Sequence, residues 1–204
     1  MEVVNNAPSV RLILVRPQVM NDALIGGVEK REIAVVDYDA LWPEKFHKHA
    51  AILSRALGAK ALAIEHVGST SVPELAAKPI IDIIVQVEES GNEPAYLPDL
   101  LTAGYVLRVH ETDWHQHRMR RTPEADVHVH IFSAGCIEVT RQLAFRDHLR
   151  RNAGDRLLYQ STKRRLAEED WPDMDAYALA KTEVVEQITA RALQEVAKGG
   201  LTKR

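Results

Sequence analysis

The sequence predicts an α+β fold, a mixed sheet flanked by helices with a helical C-terminal part. Three observations carry this. Short apolar or alternating runs of strand length recur at 32–37, 61–67, 80–87, 105–109, 115–121 and 127–132. Stretches with helical spacing lie between them. From Thr140 onward the pattern is helical throughout. Of the 204 residues, 46% are hydrophobic and 27% charged, an ordinary balance for a globular chain that buries a core without staples.

Residues 1–31 read as an N-terminal arm, with a short apolar run at 10–15 that fits an edge strand. The run EIAVVD (32–37) predicts a strand. Asp39 then offers an N-cap, Pro43 fits a first turn, and Gly58 a stop. Phe46, Ala50, Leu53 and Leu57 recur at helical spacing, so that face belongs to the core. After the strand at 61–67, Ser69 to Ala77 reads as a loop entering a short helix that ends before Pro79. The next strand, at 80–87, is apolar except for Asp82 and Gln86, which suits a central strand covered on both faces.

Gly91 and Pro94 mark a linker to a helix at 96–103, capped by Gly104. Three strands follow at 105–109, 115–121 and 127–132, and their short connections predict antiparallel neighbours. The strand at 115–121 carries His115 and His117 on one face and Arg118 and Arg120 on the other, the charge load of a solvated edge or of one wall of an anion site. Helices are expected at 140–151, 155–169 and 174–197, separated by Asn152 with Gly154 and by Trp171 with Pro172. The boundaries expected are an arm at 1–31, an α/β core at 32–137 and a helical part at 138–204 packed on that core.

Net charge is −3, so no global field draws the chain to nucleic acid or membrane. Aromatic residues for stacking single-stranded RNA are few. No run approaches the ~18 apolar residues of a membrane span. The single cysteine, Cys136, cannot form a disulfide within the chain and reads as a small buried hydrophobe. A cytoplasmic protein is expected.

The chemistry concentrates in HVGSTSVPELAAKPIIDIIV, residues 66–85. Gly68 lets backbone approach a ligand, amides at a following helix start favour phosphate, and Ser69 and Thr70 add hydroxyls. The same residues also fit turn-and-cap chemistry alone, since Ser71-Val72-Pro73-Glu74 matches a capping box. Asp82 interrupts an apolar strand, where an ionised carboxylate requires a basic partner, hydrogen bonds or a cation. Lys78 could complement a helix end or reach a phosphate. Residues 141–165 hold eight Lys/Arg, either a solvated helical face or a set of phosphate contacts.

This segment resembles the signature of the GrpB family, which belongs by fold to the nucleotidyltransferase superfamily. The resemblance extends through VVDYDALWPEKF, VHVHIF, LAFRDHLR and AYALAKTEV, and spans roughly 32–190. It implies a nucleotidyltransferase-like sheet, with Gly68 and Ser69 on a nucleotide's phosphates and Asp82 as the catalytic, metal-holding carboxylate. It also favours Arg146 and Lys163, and more mildly Lys181, as phosphate contacts. The superfamily's second carboxylate position falls on Ile84. The later strand that usually brings a third carboxylate carries His128 and His130.

The expected partner is therefore a nucleotide or another phosphate-bearing small molecule, and the expected reaction is nucleotidyl transfer. The expected metal is Mg²⁺ or Mn²⁺, or Zn²⁺ or Ni²⁺ if His128 and His130 are ligands with Asp82. The alternatives are a non-catalytic nucleotide- or coenzyme-binding module, linked to coenzyme A metabolism, and a histidine-based metal protein.

Overall fold

The computed structural model describes residues 23–30 and 32–201. The run at 10–15 and the last residues of the tail lie outside this range. The first helix, α1 (Trp42–Leu57), carries Pro43 in its first turn. Asp39 accepts from the Leu41 N–H at 2.8 Å, one residue upstream of the helix. Gly58, at φ 54°, closes it by donating to Ser54 O.

The sheet has five strands: β1 (Ala63–Val67), β2 (Ile81–Val87), β3 (Val106–His110), β4 (Arg118–Arg121) and β5 (Val127–Ser133). A short helix, α2 (Leu97–Thr102), precedes β3. The order is β1-β2-β5-β4-β3. β2 and β5 pair in parallel and every other pair is antiparallel, so the α+β class with a mixed sheet is borne out. Four helices follow: α3 (Ile137–Arg151), α4 (Ala153–Ala167), α5 (Met174–Ala180) and α6 (Thr182–Leu201). Among the described residues no helix is long and apolar enough to cross a membrane.

Two cores form. Ile81, Ile83 and Val85 of β2, with Val127, Val129 and Ile131 of β5, pack on Trp42, Leu53 and Leu57 of α1. A second cluster joins Val72 and Leu75 to Leu149, Tyr159, Val185 and Ile188. It docks the helical part onto the segment between β1 and β2.

Several expectations are corrected. Residues 32–37 form no strand; only Val36 bridges Ala77. No α-helix follows Gly68. One 3-10 turn, Ser69–Ser71, stands there, because the Ser71 and Thr70 hydroxyls donate to Gly68 O (2.6 Å) and Ile80 O (3.0 Å) instead of leaving the backbone to coil. Glu74 sits at φ 65° and binds Arg156 (2.7 Å), so the capping box is not made. β4 starts only at Arg118, since His115 and Gln116 adopt positive φ. It is an interior strand, not a solvated edge. Arg118 is buried on Glu93 (2.6 Å) and Arg120 on Tyr105 O. The expected last helix breaks at Lys181.

Candidate functional site

Strand alternation decides which β2 and β5 side chains face the apolar core under α1. The odd-numbered ones do. The even-numbered ones share the opposite face, where Asp82 stands level with His128 and Ile84 with His130. Asp82 Oδ1 lies 3.5 Å from His128 Nδ1 and 3.7 Å from His130 Nε2. These three side chains are the one group among the described residues whose donor atoms, all within 4.8 Å of one another, could hold a metal ion. The ion-pair partners of Asp82 are thus imidazoles. Burial pushes its carboxyl up, but the two histidines beside it outweigh this and hold it below the usual carboxylate range.

A further tier stands behind His130. Its Nδ1 lies 3.1 Å from His117 Nε2, and His117 Nδ1 lies 2.8 Å from Glu111 Oε2. The His117 ring stacks on His130 and Phe132 at centroid distances of 5.3 and 4.8 Å. His117 is 2% exposed, and burial lowers its pKa to about 4. On the β1 side, His66 is buried against Phe46, and burial lowers it to about 4 as well.

Gly68 earns its place by contact. At φ 68°, a Cβ there would lie 2.4 Å from Asp82 Oδ2. The residue must be glycine both for its left-handed backbone and for the carboxylate against it.

Gly68 and Asp82 open onto a cavity of about 270 Å³ whose lining also holds a cluster of lysines. Lys78, Lys163 and Lys181 line it, together with Tyr159 and Tyr177. The Lys163 ammonium donates to Ala76 O (2.5 Å) and lies 4.5 Å from the Tyr159 ring centroid. The Lys181 ammonium lies 4.1 Å from the Tyr177 centroid. Lys163 is 3% exposed and Lys181 6%, and neither forms an ion pair with a described carboxylate. Burial first, then Lys78 and Arg164, lowers Lys163 to about 7. Burial, then Lys78 and Lys163, lowers Lys181 well below its ordinary value. The buried Tyr177 hydroxyl has no hydrogen-bond partner among the described residues.

The structure brings Gly68, Ser69, Thr70, Lys78, Asp82, His128, His130 and Lys163 to this one cavity. Arg146 is not there. It ties β1 to α3 through Glu65 (2.9 Å), Asp147 (2.7 Å) and His66 O (3.0 Å). The Thr70 hydroxyl donates to Ile80 O and meets His66 Nε2 at 3.1 Å, so it is engaged within the protein. Much of the basic run at 141–165 fastens the loop at 68–77: Arg150 holds Ser71 O and Arg156 holds Glu74. Sequence reasoning gave Lys181 little weight and passed over Tyr159, Tyr177 and Glu111. It saw His117 as one of a pair on a solvated edge or on the wall of an anion site, not as a support for His130. The available signal for Lys181 was a lysine within an otherwise apolar helical stripe.

The Mg²⁺ expected from the family resemblance does not fit these residues. Ile84 is 0% exposed and packs with Val67, Phe132 and Val139. The other donors beside Asp82 are nitrogens, whereas Mg²⁺ takes oxygen ligands.

A family model described as GrpB protein matches residues 32–191. A UPF0157 protein of Streptomyces coelicolor is 50% identical over 177 residues, covering 87% of this chain and 93% of that protein. The crystal structure of the conserved protein GrpB from Enterococcus faecalis superposes with a TM-score of 0.72 at 35% identity, covering 80% of this chain and 99% of that one. A dephospho-CoA kinase of Mycobacterium leprae is 31% identical over 176 residues, covering 72% of this chain and 43% of that protein.

Proposed function

The chain belongs to the GrpB family, and from that premise we propose that its cavity binds the phosphates of a nucleoside triphosphate. The observation that carries this is the lysine cluster. Two lysines buried without an ion-paired carboxylate are costly to charge. An anion entering the cavity relieves that cost, and with Lys78 the site offers three positive charges for a polyphosphate. Their aromatic backing on Tyr159 and Tyr177 favours the charged state. At about 270 Å³ the cavity holds the phosphate part of such a ligand, being smaller than the roughly 300–1,000 Å³ of whole-ligand pockets.

The reaction suited to this arrangement is transfer of a nucleotidyl group to a hydroxyl or phosphate acceptor. In it Lys78, Lys163 and Lys181 hold the departing pyrophosphate. A second reading has its own observation. The likeness to a dephospho-CoA kinase covers under half of that protein, which favours a domain that binds a phosphorylated coenzyme without turnover.

Calorimetry with ATP, GTP, CTP and coenzyme A, each with and without Mg²⁺ or Mn²⁺, tests both. Binding of a triphosphate, weakened roughly 10- to 100-fold by Lys181→Met, is expected, as for loss of a charged hydrogen bond. Release of pyrophosphate separates the transferase from the binding module. No heat with any nucleotide sinks the triphosphate reading.

A further inference from the structure

We propose that Asp82, His128 and His130 hold a single late first-row divalent cation of the Zn²⁺ class, and that Glu111 and His117 are positioning residues for it. The inference concerns the same cavity as the reading above but does not need its nucleotide.

The separations point to a cation first. The carboxylate oxygen lies 3.5 and 3.7 Å from the two imidazole nitrogens, at or beyond the limit of a hydrogen bond. Two donors about 2.0–2.1 Å from one tetrahedral ion stand roughly 3.3 Å apart. The two spacings from the carboxylate are therefore close to edges of a coordination tetrahedron, and all three donors lie within 4.8 Å of one another.

Hydrogen-bond polarity supplies the second reason. The Glu111 carboxylate accepts only, so His117 Nδ1 must carry the proton between them (2.8 Å). A neutral His117 then presents a lone pair at Nε2, and His130 Nδ1 donates to it (3.1 Å). A neutral His130 that donates from Nδ1 keeps its lone pair on Nε2, 3.7 Å from Asp82 Oδ1. Two electron-rich atoms face each other across that gap, and a cation between them satisfies both. A carboxylate behind one imidazole, fixing the tautomer of the next, is the outer support that metal-bound histidines use. Stacking against Phe132 and burial hold His117 in that role.

Donor chemistry selects the ion. Two imidazole nitrogens and one carboxylate oxygen suit Zn²⁺, Co²⁺ or Ni²⁺ and do not complete an oxygen cage for Mg²⁺. Ile84 cannot add an oxygen.

The test uses the full chain stripped with chelator, titrated with Zn²⁺, Co²⁺ and Mg²⁺ in the absence of nucleotide. Zn²⁺ and Co²⁺ are expected to bind one per chain, at least about 100-fold more tightly than Mg²⁺, with Co²⁺ giving a visible ligand-field spectrum. Asp82→Asn and His130→Ala should each abolish that site. His117→Phe keeps the ring stack and deletes the hydrogen bond. It should weaken Zn²⁺ about 10- to 100-fold and shift the Co²⁺ spectrum, with unchanged circular dichroism. Glu111→Gln should shift the spectrum in the same sense. Mg²⁺ binding as tightly as Zn²⁺, or Zn²⁺ binding unchanged in Asp82→Asn, overturns the metal site. His117→Phe with native affinity and spectrum overturns the positioning role. Nucleotide binding that survives while Zn²⁺ fails sinks this inference alone, and the converse sinks only the nucleotide reading.

Discussion

β2 and β5 present two faces built from the same fourteen residues, and the faces have opposite energetics. Toward α1, Ile81, Ile83, Val85, Val127, Val129 and Ile131 are all 0% exposed and wholly apolar. Toward the helical part, Asp82, His128 and His130 interrupt the apolar surface and open to two buried lysines. The first face supplies hydrophobic stabilisation. The second holds groups that a stable core would exclude. A parallel strand pair fully covered by helices needs no polar residue on either face, so the asymmetry marks where selection acted for something other than stability.

The largest expected effect breaks the apolar face. Ile83→Ala removes a fully buried side chain from between β5 and α1. It should cost about 2–5 kcal/mol in urea or thermal unfolding. Triphosphate or Zn²⁺ affinity of the protein that remains folded should be unchanged. A large loss of affinity would mean that the two faces are not separable.

Gly68→Ala strikes the junction between them. The added methyl meets Asp82 Oδ2 at 2.4 Å on a backbone at φ 68°. About 1–3 kcal/mol of destabilisation is expected from the backbone and the clash. Because the carboxylate must move, Zn²⁺ affinity should fall as well. A variant with native metal affinity would show that Asp82 can shift freely.

Lys181→Met should act in the opposite direction on stability. It replaces a buried lysine that forms no ion pair with a described carboxylate by an apolar chain of similar length. The ligand-free protein should gain about 1–2 kcal/mol in unfolding experiments while its triphosphate affinity falls. Destabilisation instead would identify Lys181 as a structural cation.

How much of this was legible in the sequence follows the range of the interactions involved. Asp82 stood out because its apolar neighbours are local, and Gly68 because the motif around it is contiguous. Period-2 alternation placed His128 and His130 on one face. What alternation could not give was the insertion of β5 beside β2 in parallel, which sets those histidines against Asp82. His117 was lost because positive φ at His115 and Gln116 delays the start of β4 to Arg118, and the buried His117 ring stacks on His130. The helix after Gly68 was overcalled because its hydroxyls bond to carbonyls that only the folded loop brings near. Lys181 comes from a helix break more than a hundred residues after Gly68, and Arg146 was absorbed by Glu65, 81 residues before it. Pairings of that separation leave no local pattern.

The smallest effect is a pH dependence confined to the polar face. Burial, with Lys78 and Arg164 nearby, lowers the ammonium of Lys163 to about 7 in the ligand-free protein. A polyphosphate beside it favours the charged form, so its pKa is higher in the complex. Between those two values the complex carries more protons than the free protein. Affinity must then fall as pH rises, by up to about one decade per pH unit for this group. Below pH 7 Lys163 is charged in both states and adds no slope. The terminal phosphate itself ionises near pH 6, which leaves the window from 7 to 9 to the protein. Calorimetry across that window, in two buffers of different ionisation heat, should register proton uptake on binding. Lys163→Met should remove its share of both the slope and the uptake. An affinity that stays flat from pH 7 to 9 would place the phosphates away from Lys163, and with them the claim that the lysine cluster of the cavity is what the polar face was built to serve.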